Sequence, residues 1–383
     1  MTRPVFDPRV IQRGARLRRS PYFEATQRSG CRAYTVYNHT LLPSHYDDAE
    51  AEYWHLLEHV ALWDVGVERQ VEVSGPDGFA FAQLITPRDL SKVAVGQARY
   101  VVLVGADGGI LNDPVMLRLG ENTFWYSLAD SDVLLWALGV ATHAGLDVRI
   151  HEPDVWPLQV QGPKSKSLMG DVFGNPVTSL KYYHFAETDL DGIPVVVTRT
   201  GWTGELGYEV YLRDAARGVE LWEKLMEAGK PYDLRPTGPS DIRRIEAGIL
   251  NYGADMTLAD TPYHVGLEWA VDPDLSVEFV GKEALAGIRA RGVDRRLVGV
   301  EIEGARIEFN ETKWPVRHRG ATVGRVTSAI YSPRLRKNIG FAMVPIGLAS
   351  EGTVLEVTTP WGERGARVVR KPFLDPGKEI PKG

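Results

Sequence analysis

The chain has 383 residues, 44% of them hydrophobic and 25% charged, with a formal charge of -6 and a pI of ≈ 5.9. That length allows two or three domains, and the acidic balance argues against a general nucleic-acid binder. A single cysteine, Cys31, excludes an intrachain disulfide and a cysteine metal cluster.

The N-terminus carries Arg3, Arg9, Arg13, Arg16, Arg18 and Arg19 with no apolar stretch behind them, so it does not read as a secretory signal. No apolar run approaches the roughly 20 residues needed to cross a bilayer. A cytoplasmic location fits this composition. Residues 1–46 read as an irregular, basic and aromatic arm packed on a body, with Tyr22, Phe23, Tyr34, Tyr37 and Tyr46 as anchors. From Asp48 the spacing of Tyr53, Leu56, Leu57 and Val60 predicts a helix, with Asp47 and Asp48 at its positive end. A strand over Gln70–Val73, the turn Gly75-Pro76-Asp77-Gly78 and a short helix follow. Tyr100–Val104 reads as a strand leading through a glycine turn into Ile110-Leu111-Asn112-Asp113-Pro114. Phe124–Leu128 is strand-like, and Ser131 and Asp132 mark a helix start. Two further strands, Val148–His151 and Trp156–Val160, precede a helix opening at Lys164.

Asp191–Leu212 is the densest segment: an apolar strand, then Gly201, Gly204 and Gly207 around Trp202, Thr203, Glu205 and Leu206, then a second strand. Such glycines let a backbone approach another surface or take φ > 0. With a flat face at Trp202 and a fixed acceptor at Glu205, the loop suits a flat, hydrogen-bonding ring. On spacing alone, a plain hairpin with a wide turn fits equally well. Helices follow at Ala215–Ala228 and Asp241–Leu250. On the second, Arg243 and Arg244 fit either an anionic tail or a solvated face with local Arg–Glu pairing. A linker within Ala290–Arg295 opens a region of short strands, from Leu297–Ile302 to Ala366–Val369, that suggests a small β barrel or sandwich.

His55 and His59 lie four apart on the predicted helix, but Glu58 is misplaced for HExxH, and no metal is expected. No P-loop and no GxSxG elbow occur. By themselves these residues point to a small-molecule site in glycine-rich loops.

The segment RTGWTGELGYEVYL resembles the RTGYTGE-GYE signature of the folate-dependent aminomethyltransferase family, the glycine-cleavage T-protein group. LWDVGVERQVEVSGPDG (62–78), YVVLVGADGGILNDPVM (100–116), LQVQGPKSKSLM (158–169), RRIEAGILNYGADM (243–256), VGLEWAV (265–271), FVGKEAL (279–285) and VGRVTSAIYSPRLRKNIGFAMVP (323–345) match in the same order. The resemblance covers most of the chain beyond about residue 35. It implies an α+β fold: a folate-binding body of two α+β subdomains, here 47–293, and a C-terminal β-barrel domain, here 294–383, with the arm at 1–46.

The T-proteins carry Asp-Asp where Asn112-Asp113 stands, an arginine at the place of Ser240, and a glutamate at the place of His264. With GGILNDPV, RTGWTGE-GYE and GPS-x-IRRIE-GIL, the chain is more similar to the dimethylsulfoniopropionate demethylase branch. That resemblance implies methyl transfer from a sulfonium to N5 of tetrahydrofolate, giving 5-methyltetrahydrofolate and methylmercaptopropionate. A demethylase of another methylated amine or methoxy compound, or a non-catalytic folate-binding protein, are the alternatives. The site it implies has Glu205 on the pterin and Trp202, Tyr100, Tyr182 and Tyr183 lining the folate. Arg244 is assigned to the folate site too. Asp113, with Asn112, sits at the reacting end, and Tyr37, Trp202 and Tyr208 supply aromatic faces for the cationic sulfur. His264 or Arg244 is left for the donor's carboxylate. The partners implied are folate and a small-molecule substrate, with no nucleic acid, no membrane and no lipoyl carrier; a homodimer is allowed.

Overall fold

The computed structural model describes residues 14–383, so Arg3, Arg9 and Arg13 of the expected arm lie outside the described residues. Among those described, no helix is long and apolar enough to cross a membrane.

The described part of the arm, residues 14–46, is more ordered than its composition suggests. It holds a helix, Phe23–Arg28, and a hairpin of Ala33–Tyr37 with Thr40–His45. Asn38 and His39 take φ of 47° and 59°, the left-handed pair that a two-residue hairpin turn requires. Asn38 is buried and donates through Nδ2 to Val67 O at 3.1 Å and Ala129 O at 3.0 Å. The hairpin tip is thereby fastened to the body beside Tyr37.

A six-stranded sheet forms the centre of the body. Its order is Phe185–Leu190, Ile193–Thr198, Gly207–Leu212, Trp156–Gln161, Val60–Asp64 and Leu234–Pro236. All pairings are antiparallel except the last, which is parallel. Strand side chains alternate between faces. Leu62, Leu158, Val160, Tyr208 and Val210 point into a core with Leu168, Leu221, Trp222 and Leu225. Trp63, Gln159 and Glu209 therefore share the opposite face. The helix predicted from Asp48 runs Ala49–Glu58, with Asp48 capping Glu50 N at 3.0 Å and Ala51 N at 3.2 Å. Val60 opens a strand instead of extending that helix.

A five-stranded sheet, in the order Arg149–His151, Gln70–Ser74, Thr123–Ser127, Val115–Gly120 and Ala98–Tyr100, forms a second layer. The strand expected at Tyr100–Val104 is split into Ala98–Tyr100 and Leu103–Val104, each paired elsewhere. The helix expected over Asp241–Leu250 stops at Glu246, ahead of Gly248 with φ of 71°.

From Arg295 the chain forms a closed barrel: Arg295–Ile302, Lys337–Pro345, Ala321–Ser332, Trp314–His318, Val354–Thr359 and Gly362–Val369. Val300, Val316, Val326, Leu355, Val357 and Val368 fill it. Past the barrel the chain turns back across the body. Phe373 N and Leu374 N donate to Glu246 O at 3.0 and 2.9 Å, which carries Lys371–Lys378 to the edge of a large cavity.

Candidate active site

The cavity has a volume of ≈ 730 Å³ and lies where the arm hairpin, both sheets and the returning C-terminal segment meet. One row of the six-stranded sheet forms part of its wall. Trp63 pairs with Gln159, and Gln159 pairs with Glu209, directly opposite each other across three strands. All three line the cavity. Gln159 Nε2 donates to Glu209 Oε1 at 2.7 Å. Because a carboxylate only accepts, this bond fixes the amide orientation. Gln159 Oε1 and Trp63 Nε1 are buried with no hydrogen-bond partner. Glu209 Oε2 accepts from Tyr211 Oη at 2.9 Å and from Thr200 Oγ1. The row thus places an unpartnered acceptor, an unpartnered donor and a carboxylate within the residues of one wall.

The glycine-rich loop is braced by a side chain. The amide of Gln161 donates to Thr200 O and Tyr208 O at 3.2 and 3.1 Å and accepts from Thr203 Oγ1 at 2.8 Å. A Cβ on Gly201 would lie 2.1 Å from Gln161 Oε1, and one on Gly207 would lie 2.3 Å from Gln161 Cδ. Gly201 and Gly207 therefore make room for this strut, and the strut holds Trp202 at the cavity wall.

Asp113 lies on the cavity wall and accepts from Tyr100 Oη at 2.9 Å. Burial pushes its carboxyl up to about 7, partly offset by the Tyr100 bond. The Tyr100 ring stacks on Trp269, with centroids 5.7 Å apart at 26°. Glu68, which the sequence reading did not single out, also faces the cavity and accepts from Ser127 Oγ at 3.2 Å. Burial first, and then Glu209, raise its carboxyl well above the usual range. Tyr182 and Tyr183 meet edge to face at 4.6 Å on the same wall. Tyr37 completes this wall from the arm, and burial and then Asp113 raise its phenol.

Several expected residues stand elsewhere. Glu205 is not among the lining residues; its Oε1 accepts from Arg243 Nε at 2.6 Å, and Arg243 is fully buried. Asn112 is buried behind Asp113, donating to Ala129 O at 2.9 Å and Ser131 Oγ at 2.8 Å, so it clamps the backbone and does not face the cavity. Arg244 is fully buried too. It donates to Asp241 Oδ1 at 2.6 Å, Asp255 Oδ2 at 2.9 Å and Ser328 Oγ at 2.9 Å, joining body to barrel. It reaches the site only by stacking 5.6 Å from the Trp202 ring. A solvated face for these arginines is thus corrected: they are structural ions. Tyr208 points into the core, under Arg199 at 5.1 Å, because its neighbour Glu209 takes the cavity face. His264 accepts from Thr261 N through Nδ1 at 2.9 Å and faces Asp294 at 3.3 Å, in a helix cap outside the cavity lining.

The cation that sequence reasoning missed is Lys371. It lines the cavity, stands 5.7 Å from the Phe341 ring and donates to Val265 O at 3.0 Å. Burial pushes its ammonium down to about 8. It follows the last barrel strand in sequence, and only the turn back across the body brings it here.

Residues 22–274 match the GCVT N-terminal domain, and residues 295–375 match the glycine cleavage T-protein C-terminal barrel domain. The chain belongs to the glycine-cleavage T-protein family. It is an enzyme of that family, a folate-dependent one-carbon transferase with tetrahydrofolate as the acceptor. It is 41% identical over 354 residues to a dimethylsulfoniopropionate demethylase of Ruegeria pomeroyi, covering 92% of this chain and 96% of the relative. An aminomethyltransferase of Bacillus subtilis is 32% identical over 365 residues, covering 93% and 99%. The crystal structure of glycine cleavage system aminomethyltransferase T from Bartonella henselae superposes with a TM-score of 0.85 at 25% identity, covering 94% of this chain and 98% of that one.

Proposed function

We propose that this T-protein relative moves a methyl group from dimethylsulfoniopropionate to N5 of tetrahydrofolate, releasing methylmercaptopropionate and 5-methyltetrahydrofolate. The observation that carries the reading is the set of buried carboxyl groups lining the cavity. Glu68, Asp113 and Glu209 line it and are held by the neutral donors Ser127, Tyr100 and Gln159. Buried carboxylates held by neutral donors and in no ion pair are costly to ionise, and a permanently cationic substrate relieves that cost. Aromatic faces at Tyr37 and Trp202 add about 0.5–2 kcal/mol each for a sulfonium. The relative named as a dimethylsulfoniopropionate demethylase supports the same donor.

The sheet wall fits a pterin. Its amino group and ring N–H find acceptors in Glu209 and the unpartnered Gln159 Oε1, and its carbonyl finds a donor in Trp63 Nε1. Glu209 therefore takes the pterin role that the family resemblance implies for Glu205. Tetrahydrofolate supplies a neutral nitrogen nucleophile at N5. Displacement at a sulfonium needs no acid on the leaving sulfur, so alignment of the two reactants contributes most, about 7–11 kcal/mol, and a base for the nitrogen proton contributes less. Tyr182, Tyr183 and Trp202 hold flat faces in place. Asp113, ionised and oriented by Tyr100, receives the proton released as the nitrogen is methylated, while sulfur keeps the electron pair of the broken bond. Lys371 meets the donor's carboxylate. No lipoyl carrier is needed, since both reactants are small molecules, and a cytoplasmic place fits.

Turnover with dimethylsulfoniopropionate, glycine betaine, dimethylglycine and a methoxybenzoate, each with tetrahydrofolate, tests the donor. The highest kcat/KM belongs to dimethylsulfoniopropionate. A higher value for any other donor overturns the substrate while keeping the folate chemistry.

A further inference from the structure

Outside the cavity, His55, His59 and Asp233 bring ligand atoms within 4.8 Å of one another. His55 and His59 lie four apart at the C-terminal end of Ala49–Glu58, with their rings stacked at 4.9 Å. Asp233 stands in a distant turn, at φ of 57°, just before the edge strand Leu234–Pro236.

Two hydrogen bonds fix the tautomers. His55 Nε2 lies 3.2 Å from Val60 O, and a carbonyl only accepts, so Nε2 carries the proton and Nδ1 a lone pair. Lys164 Nζ lies 2.8 Å from His59 Nδ1, and an ammonium only donates, so that Nδ1 is also an acceptor. Both Nδ1 atoms lie 3.9 Å from Asp233 Oδ2. Three acceptor atoms thus lie within 4.8 Å of one another, and the lone pair of one, His59 Nδ1, is met by the Lys164 ammonium. Arg235 donates to Asp233 Oδ1 at 3.1 Å and to Oδ2 at 2.8 Å, which fixes the carboxylate and leaves Oδ2 a further lone pair toward the imidazoles.

We propose that His55 Nδ1, His59 Nδ1 and Asp233 Oδ2 form a divalent metal site of the zinc type, completed by water. Two imidazoles and one carboxylate are a borderline ligand set that suits Zn²⁺. The bond from His55 to Val60 O supplies the outer partner that metal-binding histidines ordinarily have. Ligand distances near 2.0–2.2 Å require the three atoms to close in by a short movement. The half-exposed Lys164 ammonium swings out as the ion enters. The ion ties the start of Val60–Asp64 to the start of its parallel neighbour, Leu234–Pro236. The missing HExxH spacing does not bear on it, because the third ligand comes from a distant turn.

Tag-free protein, stripped with a chelator and titrated calorimetrically with Zn²⁺, tests this. One ion per chain is expected. His59→Ala and Asp233→Asn weaken binding about tenfold or more, and Lys164→Met strengthens it, a gain that misfolding does not produce. No stoichiometric binding by the wild type, or equal affinity in His59→Ala and Asp233→Asn, overturns the site.

Discussion

Gln159 donates its amide N–H to Glu209 at 2.7 Å, while its amide oxygen, buried on the same wall, meets no partner. A buried orphan acceptor costs about 1–3 kcal/mol, and a ligand N–H recovers it. Gln159→Leu removes both the free acceptor and the bond to Glu209 Oε1. Tetrahydrofolate affinity is expected to fall roughly tenfold or more. Fluorescence titration or calorimetry checks this, and an unchanged dissociation constant counts against the pterin wall.

Glu205 gives the opposite outcome. It is paired with the fully buried Arg243 at 2.6 Å, and breaking one side of such a pair costs about 3–5 kcal/mol. Glu205→Gln lowers the melting temperature and leaves folate affinity within about twofold in the folded fraction. Thermal melting read beside folate titration separates the two carboxylates.

Asp113 governs the pH profile. Its carboxyl is raised from 3.8 to about 7 by burial. The native state keeps the proton where the unfolded chain has lost it, so this group's stabilising effect declines between about pH 4 and 7. The ionised form is the active one, so kcat/KM climbs with pH through about 7. Asp113→Asn lowers kcat roughly a hundredfold or more and removes this limb of the profile. A variant that keeps the limb assigns it to another group.

Glu68 and Lys371 read opposite charges on the donor. Glu68→Gln raises KM for a sulfonium donor on the order of thirtyfold, about 2 kcal/mol, and leaves a neutral methoxy donor unaffected. Lys371 titrates at about 8, so donor affinity declines above that pH, and Lys371→Met removes the decline. Initial-rate kinetics at several pH values test both. A Lys371→Met effect on folate affinity alone reassigns the lysine to the folate's own carboxylates.

What the sequence discloses follows from how local each signal is. The RTGWTGE-GYE motif marks a loop whose Gly201 and Trp202 line the cavity, and short alternating strands mark the barrel. The choice between Glu205 and Glu209 is not local. It depends on which strand face meets the cavity, and that follows from pairing Gln159 with both Trp63 and Glu209. Arg243 and Arg244 lie on a short charged helix that looks solvated until the barrel docks Ser328 and the loop carrying Asp255 over it. Lys371 is far from every motif in sequence, and only the returning C-terminal segment brings it to the cavity. Tyr208 is an aromatic candidate for the cationic sulfur beside Tyr37 and Trp202, yet strand alternation turns it into the core.

The most direct test uses purified protein, tetrahydrofolate and dimethylsulfoniopropionate carrying deuterated S-methyl groups, under anaerobic conditions, with both products followed by mass spectrometry. The account predicts 5-methyltetrahydrofolate carrying one intact deuterated methyl group, in equal amount to methylmercaptopropionate. Folate that binds but acquires no labelled methyl, or turnover only with glycine-derived aminomethyl groups on a lipoyl carrier, contradicts it.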